Sequence, residues 1–186
     1  YVTELATGKQ ISRSQIGNNV MCFSNAPLSA SEAFSSPVSP PPFMVGMAEV
    51  EIDKETGVLE LIDYVAVVDC GTVINPNLAR VQVEGGIAQG IGMALYEDVV
   101  YNEKGKNFSN SLMQYKIPTR LDVGTIRVEF ESSYEPTGPF GAKSIGEIVI
   151  NTPSPAISNA IQNATGVIIR ELPMTAEKIY RGISGR

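Results

Sequence analysis

The chain has 186 residues, 43% apolar and 18% charged, a globular balance that argues against disorder over most of its length. With 14 Lys and Arg against 20 Asp and Glu the formal charge is -6, which argues against nucleic acid, whose binding draws on basic side chains at phosphates. No apolar run approaches the roughly 18 residues that span a bilayer, and the opening residues do not read as a signal peptide.

The absence of histidine removes the Ser-His-Asp triad, the Cys-His pair and histidine-based zinc sites. Two cysteines, Cys22 and Cys70, cannot furnish an iron–sulfur cluster or a four-thiolate zinc site, so no metal site built from protein ligands is expected. Free thiols make the cytoplasm the default compartment. Chemistry here falls to carboxylates, amides, Lys, Tyr, backbone N–H groups or a borrowed cofactor.

Residues 1–34 carry little periodicity: Ser12, Ser14, Asn18 and Asn19 interrupt it, and Ser29 to Glu32 is a weak helix start. Ser35 to Pro42 holds four prolines and reads as an extended or polyproline segment, either a linker or an ordered crossing between two halves of a larger unit. Ala48, Val50 and Ile52 alternate with Met47, Glu49 and Glu51, a half-buried strand. Turn residues from Asp53 to Gly57 and a more continuously apolar strand from Val58 to Cys70 complete a hairpin.

Asn75 and Pro76 read as the N-cap and first position of a helix through Leu95. Its glycines at 85, 86, 90 and 92 cost roughly 1 kcal/mol each relative to alanine, so close approach of another backbone or a ligand must need the missing side chains. Gln82 and Gln89 share a face with Gly85 and Gly86. A strand near Asp98–Asn102, a turn over 103–106 and a half-buried strand through Ile126, Val128 and Phe130 follow. A glycine loop spans Gly138 to Glu147, then a helix from Ser154 to about Ala164, closed by Asn163 and Gly166, and a short last helix from Thr175 ending near Arg181 and Gly182. Without regular βαβ alternation the class is α+β, mixed sheets with packed helices.

The loop is not a P-loop: Ala142 stands where glycine must precede Lys143, and Thr137 stands at the first glycine position. What remains is a set of backbone N–H groups able to form an anion nest, ending in a carboxylate beside a glycine.

Together these residues resemble a known family. In order they are Pro41-Pro42-Phe43 with the Glu49/Glu51 strand, Val68-Asp69-Cys70-Gly71-Thr72-Val73-Ile74-Asn75-Pro76, Gln82-Val83-Glu84-Gly85-Gly86-Ile87-Ala88-Gln89-Gly90-Ile91-Gly92, Gly138-Pro139-Phe140-Gly141-Ala142-Lys143-Ser144-Ile145-Gly146-Glu147 and the terminal Leu172-Pro173-Met174-Thr175 helix start. The set is similar to the C-terminal part of the molybdenum-binding subunit of the xanthine dehydrogenase/aldehyde oxidase family, over about residues 41–183; the first forty residues match only loosely.

The resemblance implies a molybdenum cofactor-binding domain portion over 43–186, preceded by an N-terminal segment and proline-rich crossing over 1–42. It implies a molybdenum-pterin cofactor, in the plain or the cytosine dinucleotide form, the latter with a phosphate near Gly71–Asn77. Glu147 takes the place of the family's general base in hydroxylation of an aromatic N-heterocycle or aldehyde carbon with water-derived oxygen. Gln82 matches a glutamine that hydrogen-bonds the pterin, Gly85 and Gly86 let the helix approach it, and Gln89, Ala142, Lys143 and Ser144 are further cofactor-side residues. The expected partners are the remaining part of the molybdenum-binding subunit, Fe-S and flavin (FAD) subunits and a small-molecule substrate, in an oligomer with no nucleic acid and no membrane. Where many relatives carry proline after the catalytic glutamate this chain has Ile148. The alternative is a non-catalytic cofactor-binding or assembly module of the same fold.

Overall fold

The computed structural model describes residues 1–23, 29, 31–33 and 35–185, which form two compact units, 1–35 and 36–186. In the first, Val2–Thr3 (β1) pairs antiparallel with Gln10–Ile11 (β2), and Arg13–Phe23 (α1) follows. The helix corrects the expectation of little structure there. Ser12 Oγ accepts from the Gln15 N–H at 3.1 Å and Gln15 Oε1 accepts from the Ser12 N–H at 3.0 Å. This reciprocal box satisfies two N–H groups at the helix start. The weak helix start over 29–32 includes residue 30, outside the described residues; 29 and 31–33 take neither helix nor strand.

In the second unit the proline-rich run is ordered without helix or strand, and Ser36 Oγ ties it to the glycine loop by donating to the Thr137 carbonyl at 2.9 Å. Phe43–Ile52 (β3) alternates exposed and half-buried residues along its whole length. Its turn closes through the Gly57 N–H, which donates to the Asp53 carbonyl at 2.7 Å with Gly57 at φ 76°, a conformation that suits glycine. Leu59–Asp69 (β4) returns antiparallel, with a bulge at Glu49/Val50. Pro76–Leu95 (α2) follows; Asn75 caps it, its Oδ1 accepting from the Leu78 N–H at 3.1 Å, with Pro76 in the first turn.

Thr125–Phe130 (β5) joins β4 in parallel, so the sheet is mixed, in the order β3-β4-β5. The strand expected near Asp98–Asn102 does not form. Tyr101 and Asn107 make one isolated bridge, and the turn folds on the Asn102 side chain, which accepts from the N–H groups of Lys104 at 3.0 Å and Lys106 at 2.9 Å. Val99, Val100 and Tyr101 stay exposed, and beyond that bridge the run is tied, among the described residues, only to 106–109, the Phe108 N–H donating to the Val100 carbonyl at 2.8 Å. Pro153–Thr165 (α3) ends at Gly166, and Ala176–Ser184 (α4) starts on Thr175 and ends at Gly185, just beyond the expected end near Arg181 and Gly182.

The core lies between one sheet face and helices α2 and α3: Tyr64, Ala66 and Val68 meet Val83, Ile87, Ile91, Ile157 and Ile161, all buried. Each large apolar side chain so buried is worth roughly 1.5–3 kcal/mol. Tyr64 is buried through its hydroxyl, which donates to Thr152 Oγ1 at 2.8 Å. A Cβ at Gly46 would collide with that hydroxyl, which explains glycine inside β3. Phe43, Val45, Met47 and Val67 remain exposed on the opposite face. No helix among the described residues is long and apolar enough to cross a membrane.

Candidate functional site

Helix α2 buries Val83, Gly86, Ile87, Gly90 and Ile91 and leaves out a stripe of Leu78, Gln82, Gly85 and Gln89. The glycines divide between two duties. A Cβ on Gly86 would strike Val149, and one on Gly90 would strike Pro153, so these two admit the protein's own chain. A Cβ on Gly85 would meet nothing within 4 Å. Packing therefore accounts for Gly86, and Gly85 is the one that opens onto free space.

Gln82 Nε2 donates to the Gly146 carbonyl at 3.3 Å and draws the end of the glycine loop onto this stripe. Between them lies a cleft of about 870 Å³ lined by Gln82, Gly85, Gln89, Gly146, Glu147 and Asn151, a size typical of small-molecule sites. Gly86 lines its floor beside Val149. Glu147 is exposed there, and its carboxylate has no hydrogen-bond or ion-pair partner among the described residues. A second cleft, of about 430 Å³, runs from Thr72–Asn75 at the start of α2 to Lys143 and shares Gln82 and Gly146 with the first. The Gln82–Gly146 contact is thus common to both clefts.

The other loop residues are used differently from one another. The Ala142 N–H donates to the Pro139 carbonyl at 3.0 Å and the Lys143 N–H to the Cys70 carbonyl at 2.7 Å, so neither is free for a ligand. The Lys143 ammonium bonds Asp69 Oδ2 at 2.6 Å and stands 5.3 Å from the Phe43 ring centroid, with its side chain only 8% exposed. Ala142 and Lys143 line the second cleft, and Ser144 is exposed beside Ser36 and Ser39 in a third. From Ser144 to Glu147 the backbone N–H groups make no hydrogen bond among the described residues, which leaves them available to an anion.

Asp69 was not singled out by sequence reasoning. Its carboxyl is drawn down to about 2, first by Lys143, then by the Ser133 hydroxyl and the Gly71 N–H. Asn151, on the cleft wall beside Glu147, was also missed. Asp69 had a local signal, an Asp two residues before a glycine at a strand end, where such a side chain folds back on the backbone. Asn151 had none.

The sequence model described as "Molybdopterin cofactor-binding domain" matches residues 2–124. It takes in the N-terminal forty residues that matched only loosely by motif, and it ends before the glycine loop. The chain is 37% identical over 146 residues to "Probable hypoxanthine oxidase XdhD" of Escherichia coli K12, covering 76% of this chain and 15% of that protein. It is 35% identical over 154 residues to the xanthine dehydrogenase molybdenum-binding subunit of Escherichia coli O157:H7, covering 82% and 20%. Quinoline 2-oxidoreductase from Pseudomonas putida 86 superposes with a TM-score of 0.69 at 40% identity, over 74% of this chain and 18% of that one.

The chain belongs to the molybdopterin cofactor-binding domains of xanthine dehydrogenase-type molybdenum-binding subunits. It spans only 15% and 20% of the length of the two curated relatives.

The cleft suits such a cofactor. Free space over Gly85 and Gly146 leaves room for a flat group, and the Gln82 and Gln89 amides offer donors and acceptors to its edge. Among the described residues no group of three or more Cys, Asp or Glu is placed to hold a metal.

Proposed function

We propose that this chain forms one wall of the active site of a molybdenum hydroxylase and that Glu147 is its general base. The observation that carries this reading is the unpaired Glu147 carboxylate facing the Gln82–Gly85–Gln89 stripe across one cleft. When bound, the molybdenum-pterin group supplies a two-electron redox centre. Glu147 takes up a proton at a carboxylate oxygen as water-derived oxygen is added to a carbon of an aromatic N-heterocycle or aldehyde. Gln82, with one amide hydrogen committed to Gly146, keeps its carbonyl and a second N–H for the pterin edge. Gly85 admits the ring system, with Gly86 and Gln89 beside it, while Ala142 and Lys143 border the second cleft and Ser144 the third. A cytosine dinucleotide form would lay its phosphates along the second cleft at Gly71–Asn77, where a helix begins.

Residues 43–186 are the cofactor-binding portion in this reading. Two cysteines cannot carry electrons onward through a cluster, so Fe-S and flavin partners do, in an oligomer in the cytoplasm. The hypoxanthine and quinoline in the relatives' names are both N-heterocycles, which favours that substrate class.

Glu147→Gln in the assembled enzyme tests the assignment. Turnover falls by roughly 10²–10⁴-fold, the usual worth of a general base, with molybdenum content nearly unchanged. A variant retaining more than about a tenth of the wild-type rate overturns it.

A further inference from the structure

The carboxylate of Asp69, at the end of β4, collects three donors: Lys143 Nζ at 2.6 Å, Ser133 Oγ at 2.6 Å and the Gly71 N–H at 3.0 Å. Around it the backbone repeats the tie. The Thr72 N–H donates to the Gly141 carbonyl at 2.8 Å, the Lys143 N–H donates to the Cys70 carbonyl at 2.7 Å, and Gly71 bridges to Ala142. The Phe43 ring covers the ammonium. Four stretches of chain thus meet at one ion pair: the start of β3, the end of β4, the chain after β5 and the glycine loop.

An exposed pair of this kind would count for little, but this lysine is 8% exposed and its partner 22%. Lys143 does not line the cleft that holds Glu147. Beyond Lys143 the loop has few holds of its own. Among the described residues Ser144 to Glu147 donate no backbone hydrogen bond; the Gln82 amide at Gly146, the Ile150 N–H at the Glu147 carbonyl (3.3 Å) and the packing of Ile145 on the core restrain them. Glu147 thus stands between two fixed ends, the buried Val149 against Gly86 on one side and the pinned Lys143 on the other.

We propose that Asp69 is a positioning residue: by gripping Lys143 it seats the 138–147 loop on the end of β4 and so sets Glu147 against the Gln82 helix. The inference rests on Glu147 being the base. It moves Lys143 from ligand contact to internal anchor. Misplacing a reacting group by about 1 Å can cost about 10²-fold in rate, so the anchor acts on kcat and not on substrate affinity.

The test uses the assembled enzyme with Asp69→Asn and with the double variant Asp69→Asn/Lys143→Met. The double variant removes both charges and so avoids the penalty of leaving one buried and unpaired. The readouts are amide hydrogen exchange at Thr72 and Ile150, whose N–H groups bond the Gly141 and Glu147 carbonyls, kcat and KM separately, and molybdenum content. In both variants exchange at these two amides rises about tenfold or more and kcat falls about 10- to 100-fold, with KM within about twofold. A double variant with kcat within about threefold of wild type overturns the proposal, as does exchange at Thr72 and Ile150 within about threefold in both variants. If Glu147→Gln itself keeps its turnover, the reading of the base fails separately, and the seating of the loop is then decided by exchange alone. Loss of molybdenum from the double variant leaves Asp69→Asn to be judged on the same exchange.

Discussion

The side-chain amide of Gln82 reaches the Gly146 carbonyl at 3.3 Å across 64 positions of sequence. It joins a helix to a loop that no strand pairing connects at that point, and the residue after Gly146 is Glu147. The contact therefore holds the two sides of the cleft together.

Gln82→Ala removes that tie and a donor from the cleft. Molybdenum content drops, or the visible spectrum of the loaded enzyme shifts, because the cofactor edge loses a hydrogen-bond partner, worth roughly 0.5–1.5 kcal/mol. Metal analysis and spectra of variant and wild type check this. Unchanged content, spectrum and rate would leave Gln82 a solvated helix residue.

Gly85 and Gly86 are neighbours with opposite expected behaviour. Gly85→Ala meets open space and relieves a helix of a glycine, so the ligand-free chain gains up to about 1 kcal/mol. The same methyl intrudes on the cleft and lowers cofactor content. Gly86→Ala drives a methyl into Val149 and destabilises by roughly 1–3 kcal/mol. Thermal unfolding of the two variants should move in opposite directions.

The Asp69 carboxyl is held at about 2, below its ordinary 3.8, chiefly by Lys143. A carboxyl lowered by folding stabilises the fold above its unfolded value and loses that contribution as pH falls through its folded value. Between pH 3.8 and about 2 the wild type therefore loses stability that the Asp69→Asn/Lys143→Met variant does not have to lose. Denaturant midpoints at several acid pH values show the two converging. Parallel curves would mean that the ion pair is not linked to folding.

The sheet face opposite the core exposes Phe43, Val45, Met47 and Val67 together. A contiguous apolar patch of this sort makes the isolated chain self-associate. Sedimentation should show oligomers that Val45→Lys/Met47→Lys disperses into monomers. A wild-type chain that stays monomeric at high concentration would contradict this.

Local chemistry made much of the fold legible. Asn75 and Pro76 announce α2, and the alternation from Met47 to Ile52 announces β3, because capping and pleat are properties of adjacent residues. The box at Ser12 and Gln15 was equally local but was obscured by polar residues further along α1. The apolar run at Val99–Tyr101 misleads because a strand needs a continuous partner, and this run gains a single bridge, from Tyr101 to Asn107. In the site, the shared face of Gln82, Gly85 and Gln89 follows from helical spacing. The division of labour between Gly85 and Gly86 does not, since it depends on Val149, and the hold of Asp69 on Lys143 spans 74 positions that nothing in either neighbourhood connects.

The bond from Tyr64 to Thr152 bears on how this region can tolerate change in length. Tyr64 points into the core and Asp69 to the opposite face of β4, about 17 Å apart at ordinary strand rise. One pins Thr152 and the other Lys143, so the residues between them are wound from one side of a single strand to the other, between two fixed points. Glu147 lies near the middle of that winding. An inserted or deleted residue there shifts the register between the two anchors and would turn the carboxylate away from the cleft, whereas the turn at Glu103–Lys106 touches neither anchor. Natural variation in length among such chains should accordingly gather in the 98–124 crossing and avoid 143–152.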